Sequence, residues 1–184
     1  MRILLLNASA RNSGATQEIL KILRSAVSPE DSAELVCLGD LNIRYCTGCK
    51  SCYQTGFCHQ HDDMEMLMER MNQADILVFA APSYWADVPG QCKVFIDRCT
   101  PYGDTNPHPE HPVLRAGKRC YGIALRTGSR PMECEHIIET IRHWCGHMNI
   151  ALADSMYFCG INDKRDILPH QDKIMEKARE WFVK

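Results

Sequence analysis

Five short apolar-rich runs, each followed by a loop or a stretch of helical period, constrain this chain more than any other feature. The first, Ile3-Leu4-Leu5-Leu6, has no polar alternation, as a strand buried on both faces requires. The others lie at Glu34–Leu38, Asp75–Ala81, Tyr121–Leu125 and Ile150–Phe158. Helical patterns fall between and after them. One runs from about Ala15 to Val27, with Ile19, Leu20, Leu23, Ala26 and Val27 on one face and Ser28-Pro29 at its end. A second follows Asp62-Asp63, which can cap it, and repeats Met64, Leu67, Met68 and Met71 at i, i+3, i+4, i+7. A third, Gly90 to Cys99, buries Phe95, Ile96 and Cys99. A fourth, Pro131 to Met148, aligns Ile137, Ile138, Ile141, Cys145 and Met148. The last opens at Pro169 and carries Ile174, Ala178, Trp181 and Phe182. Residues 101–118, with four prolines and two histidines, read as an irregular loop.

Strands alternating with helices predict an α/β fold, a five-stranded parallel sheet with helices on both faces and right-handed crossovers. Five strands in 184 residues favour the flavodoxin-like order 2-1-3-4-5 over the longer Rossmann order. Residues 1–184 are expected to form one such domain, with a cysteine-rich loop inserted at about 44–62. Ligands of such sheets bind at the carboxyl ends of the strands, near the switch point between strands one and three.

Three loops fall there. Ser9-Ala10-Arg11-Asn12-Ser13-Gly14-Ala15-Thr16 joins the first strand to the first helix. Its hydroxyls at Ser9, Ser13 and Thr16, the charge of Arg11 and the free N–H groups of a helix start suit a phosphate, although a ligand-free N-cap turn would read the same. It is neither G-x-x-x-x-G-K-[ST] nor G-x-G-x-x-G. Pro82-Ser83-Tyr84-Trp85 ends the third strand with two large aromatics, which suit a flat ring, core packing or an oligomer contact. Thr127-Gly128-Ser129 follows the fourth strand. Each loop is weak alone; their convergence on one edge is not.

The remaining signal is Cys46, Cys49, Cys52 and Cys58, at the spacing C-x2-C-x2-C-x5-C. Four thiolates so close can hold an iron–sulfur cluster or a zinc, or stay bare. Zinc is disfavoured because no second C-x2-C or His pair stands at finger spacing. A redox-active pair of the thioredoxin sort could stand at Cys46 and Cys49, but that motif normally opens a helix in a different sheet. His59 and His61 read as solvated loop residues, and His108 and His111 as a weak metal candidate. Cys37, Cys92, Cys99, Cys120, Cys145 and Cys159 sit in apolar contexts and read as small buried hydrophobes.

Taken together, these segments resemble the flavodoxin-fold NAD(P)H-dependent FMN reductases, and within them the iron–sulfur flavoprotein branch. Residues 8–16 are similar to that family's G-S-P-R-x-x-G-N-T, Pro82-Ser83-Tyr84-Trp85 to P-x-Y-W, residues 90–98 to G-Q-x-K-x-F-I-D-R, and Thr127-Gly128-Ser129 to T-G-G. The cysteine run resembles the branch's compact motif. Ala8, Ala10 and Ala15 replace a Gly, a Pro and an Asn, and Ser129 a Gly. The missing Asn removes one donor near the phosphate; the hydroxyls and the helix start remain. The resemblance implies FMN on Ser9, Arg11, Ser13, Gly14, Ala15 and Thr16, with its ring between Pro82–Trp85 and Thr127–Ser129. It also implies NAD(P)H as hydride donor and a [4Fe–4S] cluster on the four cysteines.

The implied activity is oxidoreduction, passing electrons between a nicotinamide or protein donor, FMN and the cluster. The acceptor would be a small molecule or a protein such as a ferredoxin. An electron carrier without nicotinamide turnover and a cluster-free FMN (quinone) reductase are the alternatives. The chemistry would centre on the flavin, so no catalytic side chain is singled out. An open, aromatic flavin edge suits a homodimer or homotetramer. A formal charge of −2 with no basic block excludes a nucleic-acid partner. The apolar run after Met1-Arg2 is too short for a signal peptide or a membrane span, so the chain reads as cytoplasmic, where thiols stay reduced.

Overall fold

The apolar runs form a parallel sheet whose middle is sealed on both faces. The computed structural model describes residues 1–183. The strands are β1 (Arg2–Asn7), β2 (Ser32–Cys37), β3 (Ile76–Pro82), β4 (Arg119–Leu125) and β5 (Ala151–Phe158). They pair in the order β2-β1-β3-β4-β5, the flavodoxin-like order, and every pairing is parallel. The inner strands β1, β3 and β4 are the continuous apolar runs. The edge strands β2 and β5 alternate exposed with covered residues, as strands with one open edge and one wetter face do.

The helices are α1 (Ala15–Ser25), α2 (Ser51–Thr55), α3 (Asp63–Gln73), α4 (Gly90–Arg98), α5 (Met132–His147) and α6 (Gln171–Trp181). Because side chains alternate along a strand, β1 feeds two cores. Leu4 and Leu6 join Leu77, Phe79 and the apolar stripes of α3, α4 and α5. Ile3 and Leu5 join Ile76, Val78, Ile123 and the stripes of α1 and α6. Met64, Leu67, Met68 and Met71 are all buried in the first core. There Phe79 meets Phe95 and Trp144 edge-on, at 5.8 and 5.2 Å between ring centres. In the second core Tyr121 stacks on Trp181 at 4.6 Å and donates its hydroxyl to the Trp181 carbonyl. Each fully buried Leu, Ile or Phe contributes about 1.5–3 kcal/mol.

The structure departs from expectation locally. The cysteine segment is not all loop: α2 lies within it, bracketed by Lys50 (φ 58°) and Gly56 (φ 80°) in the left-handed region. The last helix starts at Gln171, after a 3-10 segment Lys164–His170 that contains Pro169. Asp163 caps the 3-10 segment, accepting from the Arg165 N–H at 3.0 Å while the Asp166 carboxylate accepts from the Asp163 N–H at 2.9 Å. Cys37 and Cys159 are half-buried rather than buried, because they close the two edge strands; Ile96 is also only partly covered. Among the described residues, no helix is long and apolar enough to cross a membrane.

Candidate functional site

Parallel pairing sends the loops after β1, β3 and β4 to one edge of the sheet. The Ala8 N–H donates to the Ala80 carbonyl at 2.8 Å, and the Ser83 N–H to the Leu125 carbonyl at 2.6 Å. Asn7, buried at the end of β1, organises the first loop. Its Oδ1 accepts from the Ser9 N–H at 2.9 Å and its Nδ2 donates to Gln17 at 2.8 Å. Ser9 and Thr16 are buried at the loop's two ends, while Arg11 and Ser13 are exposed on it. Gly14 is the N-cap of α1, and no side chain caps that helix. The first turn therefore presents N–H donors and the positive end of the helix dipole at the loop, which is what an anion needs.

Tyr84 and Asp87 exchange backbone hydrogen bonds around Trp85 and Ala86, whose φ values are 54° and 64°. This is the geometry of a type I′ turn, built here without the glycine or asparagine that usually carries it. It holds Trp85 wholly in solvent. In the third loop Arg126 folds back beneath Gly128, where a Cβ would come within 2.3 Å of its Nη2. Arg126 pairs with Glu133 at 3.0 Å and donates to the Arg130 carbonyl at 2.6 Å. Glu133 in turn accepts from the Ser83 hydroxyl at 2.7 Å. The second and third loops are thus tied through one carboxylate, with Thr127 and Ser129 exposed on the outer side.

The cysteines gather elsewhere. Cys46, Cys49, Cys52 and Cys58 all line one cavity of about 190 Å3, with Asp97, Arg98, Thr100 and Pro101 among the opposite wall. Among the described residues, no three His, Cys, Asp or Glu side chains are arranged to hold a single metal ion. The four thiols thus share the lining of a space of several water volumes. The Ser51 N–H lies against Cys49 and holds its thiol below the usual range. Burial, and then the neighbouring Cys58, Cys46 and Cys49, push the Cys52 thiol up. His59 is exposed with Nδ1 3.5 Å from Cys49, and His61 pairs with Glu65. Nδ1 of His108 accepts from the Glu110 N–H, and Nδ1 of His111 meets the His108 carbonyl, so the two imidazoles do not converge on a metal.

Arg98 is the site residue that the sequence reading missed. It is 2% exposed. Its Nη1 donates to the Arg44 carbonyl at 2.7 Å and to Asp62 Oδ2 at 2.6 Å, and its Nη2 to Asp62 Oδ1 at 3.1 Å. Asp62 also accepts from the Arg44 N–H and caps α3 through the Met64 N–H. One guanidinium therefore grips both ends of the cysteine loop. Burial raises the Asp62 carboxyl, but the bonds from Arg98, Arg44 and Met64 outweigh it and hold the pKa at about 2. A readable signal was present. Arg98 follows Phe95 by three residues and Cys92 by six, so a charge sits on the apolar stripe of α4.

These features have counterparts in known proteins. Residues 1–158 match the model of the NADPH-dependent FMN reductase family. The chain belongs to that family. An iron–sulfur flavoprotein of Methanosarcina thermophila is 29% identical over 168 residues, covering 88% of this chain and 82% of that protein. One from Archaeoglobus fulgidus is 33% identical over 99 residues, covering 54% of this chain and 45% of its own length. The chain thus spans under half the length of some curated relatives it matches. The structure of an FMN-dependent NADH-azoreductase from Bacillus anthracis, in complex with FMN, superposes with a TM-score of 0.73 at 15% identity, covering all of both chains. That likeness concerns the fold this family member shares.

Proposed function

We propose that this chain is an NAD(P)H-dependent FMN oxidoreductase of the iron–sulfur flavoprotein type, moving electrons between a nicotinamide or protein donor, FMN and a [4Fe–4S] cluster. The observation that carries the reading is that all four thiols of the compact run line one cavity. They do so on a chain whose sheet edge offers an uncapped helix start and two tied loops. Four thiols around one cavity are the donor set that a polynuclear cluster takes.

In this reading Ser9, Ser13, Thr16 and the N–H groups of Gly14, Ala15 and Thr16 bind the FMN phosphate, with Arg11 adding charge. Pro82, Ser83, Tyr84 and Trp85 form one wall of the ring site, and Thr127, Gly128 and Ser129 the other. Glu133 orients both walls through Ser83 and Arg126. Cys46, Cys49, Cys52 and Cys58 hold the cluster, and Arg98 and Asp62 close the loop that carries them. Bound flavin supplies hydride acceptance and one-electron release, so the chain's task is binding, orientation and exclusion of water. The exposed Trp85, with Met132 70% exposed on the same edge, offers an apolar face for a second copy to wall the ring site.

The test is the visible spectrum of protein purified without oxygen, with iron, sulfide and flavin assayed on the same sample. Flavin bands over broad iron–sulfur absorbance, with about four irons per chain, support the reading. Cys52→Ser should then lose the iron and keep the flavin. Flavin without iron, even after reconstitution, leaves a cluster-free FMN reductase. A colourless protein that takes up no FMN refutes the proposal. Rapid bleaching of the flavin by NADH or NADPH distinguishes an enzyme from a carrier reduced only by a protein donor.

A further inference from the structure

Arg98 has one donor left over. Its two terminal nitrogens are committed to Asp62 and to the Arg44 carbonyl. Its Nε is buried and has no hydrogen-bond partner among the described residues. Leaving a buried N–H unpaired costs the full desolvation of that group, and more when the group is charged. Such orphans are rare in a finished site and mark where a partner is expected. Arg126 carries the other buried, unpartnered Nε, but it lies in the flavin-edge loop, away from the thiols.

The neighbourhood of Arg98 indicates the partner. Its side chain lines the cavity bounded by the four cysteines, and Cys58 lines the same cavity. The Cys58 side chain already lies within charge and hydrogen-bonding range of the guanidinium, although it does not meet Nε with the geometry of a formed bond. Arg98 and Cys58 share the wall of the adjoining cavity of about 270 Å3, so they are neighbours on both sides. Nothing else cationic among the cavity-lining residues is buried: Lys50 is exposed. Asp62 fixes Arg98 bidentately, so the guanidinium cannot swing away.

We propose that Arg98 is a positioning residue of the cysteine site, donating its Nε–H to the sulfur of Cys58 when that cysteine ligates a cluster, and thereby favouring the reduced form. The inference rests on the cluster reading above. Hydrogen bonds to ligand sulfurs, and net charge nearby, are among the levers that set a cluster's potential. Reduction adds one negative charge to the site. A fixed, buried cation with a donor on a ligand sulfur stabilises that charge more than the oxidised state. Asp62 offsets part of the cation's charge but cannot replace the N–H. Arg98 would thus do two jobs with three nitrogens, closing the loop with two and tuning the metal site with the third.

The experiment uses anaerobically reconstituted full-length protein with its flavin. In wild-type protein grown on 15N-arginine, pulsed EPR of the reduced cluster should show hyperfine coupling to one arginine nitrogen and to an exchangeable proton. Arg98→Lys keeps the charge near Asp62 but lacks Nε–H. It should abolish that coupling and lower the reduced-to-oxidised ratio of the cluster at a fixed ambient potential about tenfold, equivalent to about 59 mV for one electron. An absent nitrogen coupling in wild-type protein that does hold the cluster overturns the inference while leaving the cluster reading intact. So does an unchanged ratio in Arg98→Lys. Wild-type protein that takes up flavin but no iron refutes the cluster reading itself, and the inference with it. The labelled wild-type measurement decides the matter even if Arg98→Lys does not fold.

Discussion

The replacement Asp62→Asn keeps the shape of the side chain, removes the charge that Arg98 faces and turns one of the two accepting oxygens into a donor. Both side chains are almost fully covered, at 2% and 1% exposure. The Asp62 pKa stands at about 2 against an ordinary 3.8. That depression corresponds to roughly 2 kcal/mol of folding stability. Because the folded pKa is depressed, the contribution is complete well above pH 3.8 and is lost as pH falls through 2. The substitution also leaves Arg98 buried without a counter-charge, so the total loss at pH 7 should be about 3–5 kcal/mol. With a urea slope of about 2 kcal/mol per molar, the midpoint should fall by roughly 1.5–2.5 M. Two further readouts locate the effect. Amide exchange should quicken across residues 44–62 before it does in the sheet. The stability gap between wild type and variant should narrow as pH is lowered from 5 towards 2. A midpoint shift under about 0.3 M, or a gap that stays constant with pH, would refute the idea that this pair closes the loop.

Three other perturbations test the opposite edge. Ser13→Glu places a negative charge where the phosphate is proposed to sit, and should weaken FMN binding at least about tenfold, near 1.4 kcal/mol, in a fluorescence-quenching titration. Gly128→Ala would drive a Cβ into Arg126 Nη2; the guanidinium must then leave Glu133, with a loss of about 1–2 kcal/mol in chemical denaturation and weaker flavin binding. Ala86→Gly removes a side chain from the left-handed region and should raise stability by roughly 0.5–1 kcal/mol after the entropy cost of glycine, seen as a higher Tm.

The sheet was legible because buried parallel strands must be continuous apolar runs, and β1, β3 and β4 are such runs. The helices followed from spacing, since Met64, Leu67, Met68 and Met71 repeat at the helical period and all are buried. Two kinds of feature were not legible. α2 is five residues long and has no buried face, so it carries no periodicity to read; left-handed residues at its ends set it instead. The Arg98–Asp62 clamp joins side chains 36 residues apart, brought together only because α3 and α4 share one core. Spacing along the chain revealed four neighbouring thiols, but not that they line one cavity, nor that a buried cation forms part of its wall.

Helix α4 connects the two regions and also keeps them apart. Near its first residue, Gln91 Nε2 reaches the Ala8 carbonyl at 2.8 Å, beside the loop that faces the strand ends. At its last residue, Arg98 enters the wall of the cysteine cavity. Seven residues of α-helix separate those anchors by about 10 Å. A helix neither stretches nor folds at ordinary thermal energies, so it acts as a ruler of fixed length. If the proposed flavin and cluster are both bound, electrons exchanged between them within one chain would cross that interval through packed side chains. The same ruler keeps the strand-end loops and the thiol loop on separate parts of the surface, so that a group bound at one end need not cover the other.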